Sequence, residues 1–298
     1  MVSERVAEDI FGSIILIMNK GGTMSYTGIY YFSLPENDDL ARFYENPSEF
    51  ADRLKENQYL ILENNEYEAI DFYKKKNGWL ERVSFPTIGN RYENAIKPRN
   101  SEQRCAMDLL KDFDIKVKIL RGVYGSGKDF LMFNEALSRL EKGATKKIIF
   151  TRPHVSVGGL PEVGFLPGDL DQKLGWTLGP LLDKVGGEEG LNYLIDSGQL
   201  QMIPLNYIRG RSFENSIIYM TEGQNMTSEI AKLLLGRVGE GSELWINADT
   251  HQVDKRLYAQ DNGVNRMVEK LSGNKLFGYV YLPQTERSEV ARMADLLD

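Results

Sequence analysis

In 298 residues the chain has one cysteine, Cys105, and two histidines, His154 and His251. A single thiol excludes a disulfide framework and fits a reducing compartment. The histidines stand far apart, with no cysteine or second histidine at ligand spacing, so both read as polar loop residues and not as zinc ligands. Long apolar runs are missing too. A membrane helix needs about 20 such residues, whereas the longest early stretch, residues 14–18, is too short even for the apolar region of a secretory signal and follows no basic segment. The expectation is a cytoplasmic protein without a membrane partner. There is also no basic excess. The net charge is −7, and residues 1–95 carry 10 Lys+Arg against 16 Asp+Glu. Binding nucleic acid through the overall field is therefore excluded, and any such contact must use a local groove.

What is present is an ordinary globular composition, long enough for one large α/β unit or two unequal ones. The first 95 residues read as a small β-rich domain. Residues 13–18 and 24–34 are apolar segments joined across Asn19-Lys20-Gly21-Gly22, a hairpin signal. Residues 37–55 look helical, with an interruption near Pro47. Residues 58–63, 67–73 and 79–83 suggest a meander whose second turn is Asn77-Gly78. Residues 85–100 read as linker, with the small domain over 1–95, its linker reaching about residue 97, and a second domain running over 98–298. There the pattern alternates. Strands are predicted at 117–120, 147–151, 201–205, 216–220, 243–247 and 277–282, with helices between them, including 128–140 and 228–238. Such alternation specifies an α/β fold with a mainly parallel sheet. Residues 155–168, rich in Gly and Pro, form a long loop and a functional candidate.

Between a predicted strand and a predicted helix lies Gly122-Val123-Tyr124-Gly125-Ser126-Gly127-Lys128-Asp129. This is a phosphate-binding loop complete except for its last position, where Ser or Thr normally holds the Mg²⁺ of a nucleoside triphosphate. The glycines let backbone N–H groups face phosphates, and the helix N-terminus adds partial positive charge. Lys128 would reach the β- and γ-phosphates. About ninety residues on, an apolar strand ends in Thr221-Glu222, where such enzymes usually carry Asp-Glu. The hydroxyl and the carboxylate of a magnesium site have changed places.

Further blocks accompany the loop: Pro98-Arg99-Asn100-Ser101-Glu102-Gln103 before it, then Thr151-Arg152-Pro153, 164–169, 207–213, Thr221-Glu222-Gly223-Gln224-Asn225, 237–242, 249–254 and Glu286-Arg287-Ser288. In that order they resemble the PhoH family of P-loop ATPases, relatives of superfamily-1 helicases. The resemblance covers residue 96 onward and implies a RecA-like P-loop NTPase domain. Some members carry an N-terminal PIN-type ribonuclease domain, for which the residues before the linker are too few. The resemblance implies that Gln103 reads the adenine edge and that Glu222 orients and deprotonates the attacking water. It implies that Gln252 and Asp249 sense the γ-phosphate, and that Arg209, Arg211, Arg237 and Arg287 are candidates for stabilising transition-state charge, one of them from a neighbouring subunit. The family is associated with ring-shaped oligomers and RNA-directed ATPase or helicase activity.

Two positions depart from the family, which has Thr at 129 and Asp at 221. A carboxylate about 4 Å from a phosphate charge is repelled by roughly 4 kcal/mol at an effective dielectric near 20, and Mg²⁺ can offset that. The favoured reading is compensation, with Asp129, Thr221 and Asp249 as metal-site residues and ATP with Mg²⁺ as cofactors. The function expected is Mg-dependent ATP hydrolysis coupled to single-stranded RNA or DNA by a homo-oligomeric ring. The alternative is a nucleotide-responsive assembly module that binds ATP or ADP with little turnover. Other features are given plainer readings. Cys105 belongs to the core. Asp38-Asp39 reads as capping at a helix start. Lys74-Lys75-Lys76 beside Phe72, Tyr73 and Trp79 could form a platform for single strands, but a hairpin tip with solvated lysines and core-facing aromatics is favoured.

Overall fold

The computed structural model describes residues 26–33, 37–64, 66–153, 179–249 and 260–286. The chain enters through β1 (Ile29–Ser33), α1 (Asn37–Glu45) and α2 (Ser48–Ala51), the two helices parted at Pro47, which lacks the N–H that an unbroken helix would need there. β2 (Tyr59–Glu63) follows, then β3 (Ala69–Lys76) and β4 (Trp79–Arg82). Asn77 and Gly78 both take positive φ, 53° and 85°, the left-handed backbone of a tight two-residue hairpin turn. The four strands form one sheet in the order β1-β2-β3-β4. β2, β3 and β4 make the expected antiparallel meander, whereas β1 pairs with β2 in parallel because two helices intervene. The hairpin partner expected at residues 13–18 lies outside the described residues.

One expectation for this sheet is corrected. Lys74 is buried, its Nζ 2.7 Å from Asp108 and 2.8 Å from Asp112, while Lys76 lies 3.1 Å from Asp112 and 2.7 Å from Asp114. The pleat sends residues 74 and 76 to one side, and there they grip the end of α3 (Ser101–Lys111) instead of solvent. Lys75 donates to the Leu54 carbonyl. Phe72 and Tyr73 are buried as expected, but Trp79 is exposed.

The larger sheet consists of β5 (Val117–Gly122), β6 (Lys147–Thr151), β7 (Leu200–Met202), β8 (Ser216–Met220), β9 (Glu243–Asp249) and β10 (Phe277–Leu282). It is entirely parallel, in the order β10-β5-β9-β8-β6-β7. α4 (Lys128–Glu141), α5 (Gly179–Leu182), α6 (Gly187–Asp196), α7 (Ser228–Leu235) and α8 (Gly263–Leu271) complete the described α-helices. The parallel order requires right-handed crossovers, so the helices cover both faces. The core divides accordingly. Leu120, Ile148, Ile217, Tyr219 and Trp245 pack with α3 and α4, while Ile119, Ile149, Ile218, Met220 and Ile246 pack with α7 and α8. Alternation therefore brings residues 217 and 219 of β8 and 245, 247 and 249 of β9 to the α4 side. β7 is shorter than the strand expected at 201–205, since Pro204 cannot extend the ladder.

The α3–α4 core continues into the small sheet. Ile29, Tyr59, Ile61, Phe72, Val83 and Ile88 belong to the same buried cluster as Cys105, Leu109 and Met132. Residues of the expected linker are part of it: Ile88 is fully buried and pairs with Ile96 in an antiparallel bridge. Asn57 adds a polar clasp, its side-chain amide donating to the carbonyls of Asn274, Lys275 and Phe277.

Candidate nucleotide and metal site

In a parallel α/β sheet the loops after the carboxyl ends of the strands gather at one edge, and here that edge collects the candidate residues. β5 runs into the loop, and α4 begins at Lys128. Gly125 and Gly127 take φ of 76° and 87°, left-handed values that a side chain would oppose. Gly122 is required for a different reason: a Cβ there would stand 2.2 Å from the Leu282 carbonyl oxygen of β10. Lys128 is buried, and its Nζ donates to the carbonyls of Gly122 (2.9 Å) and Val123 (2.7 Å), with Ser126 Oγ and Asp249 Oδ2 each at 3.4 Å. Burial pulls the Lys128 pKa down, opposed chiefly by Asp249 and then Asp129. Tyr124 is exposed at the loop's tip.

Glu222 follows β8 with φ 56° and ψ 36°, a left-handed conformation that costs a non-glycine residue about 1–3 kcal/mol and clusters at functional sites. Gln224 braces it, donating from Nε2 to Glu222 Oε2 at 2.6 Å while its Oε1 accepts the Asp249 N–H at 2.9 Å. Gln224 was no candidate in the sequence reading, although it stands in the Thr221–Asn225 block. Lys128, Asp249 and Glu222 are thus linked, through the Asp249 side chain and backbone N–H and the Gln224 amide, across the ends of β5, β9 and β8. Thr221 is buried, and its N–H donates to the Thr151 carbonyl. The Thr151 hydroxyl beside it is buried without a hydrogen-bond partner among the described residues, a second polar group at this edge that the sequence reading did not single out.

Asp129, in the first turn of α4, is exposed, yet its Oδ1 accepts a 2.6 Å hydrogen bond from the Tyr219 hydroxyl of β8. Tyr219 is fully buried, and burial, then the Asp129 charge, push its pKa well up. The side chain of Asp129 is therefore turned toward β8, on the face to which alternation also assigns residue 221. A carboxylate, a hydroxyl and the Asp249 carboxylate are oxygen donors that suit Mg²⁺. No group of three or more His, Cys, Asp or Glu side chains among the described residues could hold a metal by itself. Phosphate oxygens and water would have to complete the shell.

Gln103 sits beneath the loop. Its Nε2 donates to the Ser126 carbonyl (3.1 Å) and its Oε1 accepts from the Arg99 N–H (2.9 Å), while Asn100 caps the helix by accepting from the Gln103 N–H. The amide expected at an adenine edge is here engaged within the chain. The same corner is tied to the segment that follows β10: Asn100 Nδ2 donates to Glu286 Oε1 at 2.5 Å, Arg99 donates to the Glu286 carbonyl, and the Glu286 N–H donates to the Gly125 carbonyl.

Two of the four candidate arginines, Arg211 and Arg237, lie away from this edge. Arg209 pairs with Glu229 of α7 at 2.9 Å in solvent, and Arg211 lies over Phe213 at 5.0 Å. Arg237 donates to the Arg211 carbonyl, and Phe213 bridges to Val238 just before β8 and β9 begin. Arg211 and Arg237 therefore lie at the opposite edge of the sheet, about 16 Å away for a five-residue strand. Gln252, Arg287, His154, His251 and the 155–168 loop fall outside the described residues.

A family model described as PhoH-like protein matches residues 95–295. Among curated proteins, "Protein PhoH2" of Thermobispora bispora is 34% identical over 209 residues, 69% of this chain and 48% of its own. "PhoH-like protein" of Bacillus subtilis is 30% identical over 287 residues, 95% of this chain and 77% of its own. The chain thus spans about half the length of the PhoH2 relatives it matches. A solved structure of Bacteroides Pif1 bound to ssDNA matches at 14% identity over 66% of this chain and 44% of its own, with a TM-score of 0.33, too loose an overlay to argue from. Among the described residues no helix is long and apolar enough to cross a membrane.

Proposed function

The chain belongs to the PhoH family, with the α/β fold of a P-loop NTPase, and from that premise we propose that it binds ATP with Mg²⁺ and hydrolyses it in response to single-stranded nucleic acid. The observation that carries this reading is the linkage of Lys128 to Asp249 and of Asp249, through Gln224, to Glu222 at one edge of the sheet. Lys128, now resting on loop carbonyls, would exchange them for phosphate oxygens. The loop N–H groups and the N-terminus of α4 would face the same charge. Glu222, held by Gln224, would accept the proton of the attacking water. Asp129, Thr221 and Asp249 would hold Mg²⁺, which when bound supplies charge neutralisation for the triphosphate.

Phosphate release measured with and without single-stranded RNA tests this. The wild type should turn over and be stimulated. Asp129→Thr and Thr221→Asp should each abolish turnover, and the double variant should restore it. An inactive wild type beside an active double variant would instead establish the rival reading, a nucleotide-responsive module whose metal site has decayed.

Placement of Arg211 and Arg237 at the far edge supports a ring. Head-to-tail packing of identical subunits would set this edge against a neighbour's loop, the geometry of an arginine supplied in trans. Mixing inactive Lys128→Ala with inactive Arg237→Ala subunits should then recover partial turnover, because some interfaces pair an intact loop with an intact arginine. No recovery at any ratio would remove Arg237 from that role.

A further inference from the structure

We propose that Tyr219 is a positioning residue for Asp129, so that the exchange at the metal site involves three residues and not two. This rests on the nucleotide-site reading above and adds to it.

Tyr219 lies within an apolar strand, Ser216–Met220, with Phe133 and Phe150 against its ring. A buried phenol must place its hydroxyl on a partner, and here the partner is a carboxylate ninety positions earlier, on a different element. At 2.6 Å the bond has the length of a charge-assisted O–H···O⁻ contact. Asn247 of β9 lies close enough to the same hydroxyl to pull its pKa down against the burial, so β9, β8 and the first turn of α4 meet at one phenol.

The consequence concerns direction. Asp129 is exposed at the loop's end, where an untethered carboxylate would sample several rotamers, some of them facing the triphosphate. The Tyr219 hydroxyl occupies one carboxylate oxygen and holds the group toward β8, leaving the second oxygen for an ion. A Thr at position 129 carries its oxygen one bond nearer the backbone and would not reach the phenol in the same way. Tyr219 thus has a task in this chain that it would lack with the family's residue at 129.

The test is a double-mutant cycle read by nucleotide binding, with a fluorescent ADP titrated in Mg²⁺ and again in EDTA. The quantity of interest is the ratio of the two affinities. Tyr219→Phe deletes one oxygen and should reduce that ratio about tenfold, the usual scale for losing a group that orients a metal ligand, with EDTA affinity unchanged. In the Asp129→Thr background the same substitution should change nothing. Asp129→Glu keeps the charge but moves the carboxylate one methylene outward, and it should reproduce the tenfold loss even if Tyr219→Phe fails to fold. An unaltered ratio in Tyr219→Phe or in Asp129→Glu overturns the proposal. So does an equal loss with Thr at 129, which would mean that the phenol acts through packing alone. A wild type that binds no ADP in either buffer overturns the nucleotide-site reading and this proposal together.

Discussion

Glu222→Gln should slow phosphate release about a thousandfold, within the range that a positioned general base contributes, while nucleotide binding stays within about threefold of wild type. The reason is local. Glu222 has its carboxylate held by Gln224, and the substitution keeps the shape of the group and its capacity to accept that bond. What it removes is the basicity that would take a proton from water. Single-turnover measurements beside equilibrium binding separate the two quantities. A variant that turns over at a tenth of the wild-type rate would move the base elsewhere, with Asp249 the next carboxylate in the linkage. A variant that loses binding would make Glu222 a structural residue, required for the left-handed turn after β8.

Glu243→Ala should produce the largest loss of stability, about 3–5 kcal/mol, because it strands buried charge. Glu243 receives Lys118 Nζ at 2.7 Å, Trp245 Nε1 at 2.8 Å and Arg139 Nη1 at 2.6 Å. Lys118 is fully buried and also donates to the Leu110 carbonyl, and Arg139 lies over the Phe113 ring at 3.9 Å. Removing this carboxylate leaves Lys118 without a counter-charge between β5, β9 and α4, and leaves Arg139 with Glu135 alone, at 3.3 Å. Chemical denaturation followed by circular dichroism measures the difference, and a loss under 1 kcal/mol would refute the account. The effect should also depend on pH. Burial pushes the Lys118 pKa down to about 7, against the pull of Glu243. Since the folded value lies below the ordinary value of 10.5, the unfolded chain binds more protons between them, and this group's contribution to stability grows as pH rises from about 7 to 10.5. At pH 9 the amine is largely uncharged with or without Glu243, whereas at pH 6 the wild type holds it charged against the carboxylate, so the penalty should be smaller at pH 9 than at pH 6.

Much of the larger sheet was legible because its strands are short apolar runs bounded by turn residues. β6, β8 and β10 have the expected ends, and α4 begins at Lys128 as the loop requires. Such local signals gave strand existence and order along the chain. They gave nothing about partners distant in sequence. Lys74 looked like a solvated residue at a hairpin tip because Asp108 and Asp112, which bury it, arrive with a helix more than thirty residues later. The parallel pairing of β1 was hidden for a similar reason, since a strand carries no mark of the direction its neighbour will take. At the site, the loop glycines and Lys128 could be read from spacing. The hydroxyl that holds Asp129 could not, because Tyr219 sits in a strand whose apolar pattern explained it fully. Nor could the engagement of Gln103, which depends on how Arg99 folds back over the start of α3.

The residue at which the family model begins, 95, does not coincide with a boundary in the packing. α3 buries Cys105, Ala106 and Leu109 in a cluster that also contains Tyr59, Phe72, Val83 and Ile88, and Tyr59 and Lys74 add polar bonds to Asp108. A fragment cut at residue 95 would keep every residue of the phosphate loop yet leave an apolar strip of its first helix facing water. That helix carries Asn100 and Gln103, which hold the corner of the loop. The small sheet is therefore the lid of this core as much as an appendage to it, and it bears directly on the helix beneath Ser126.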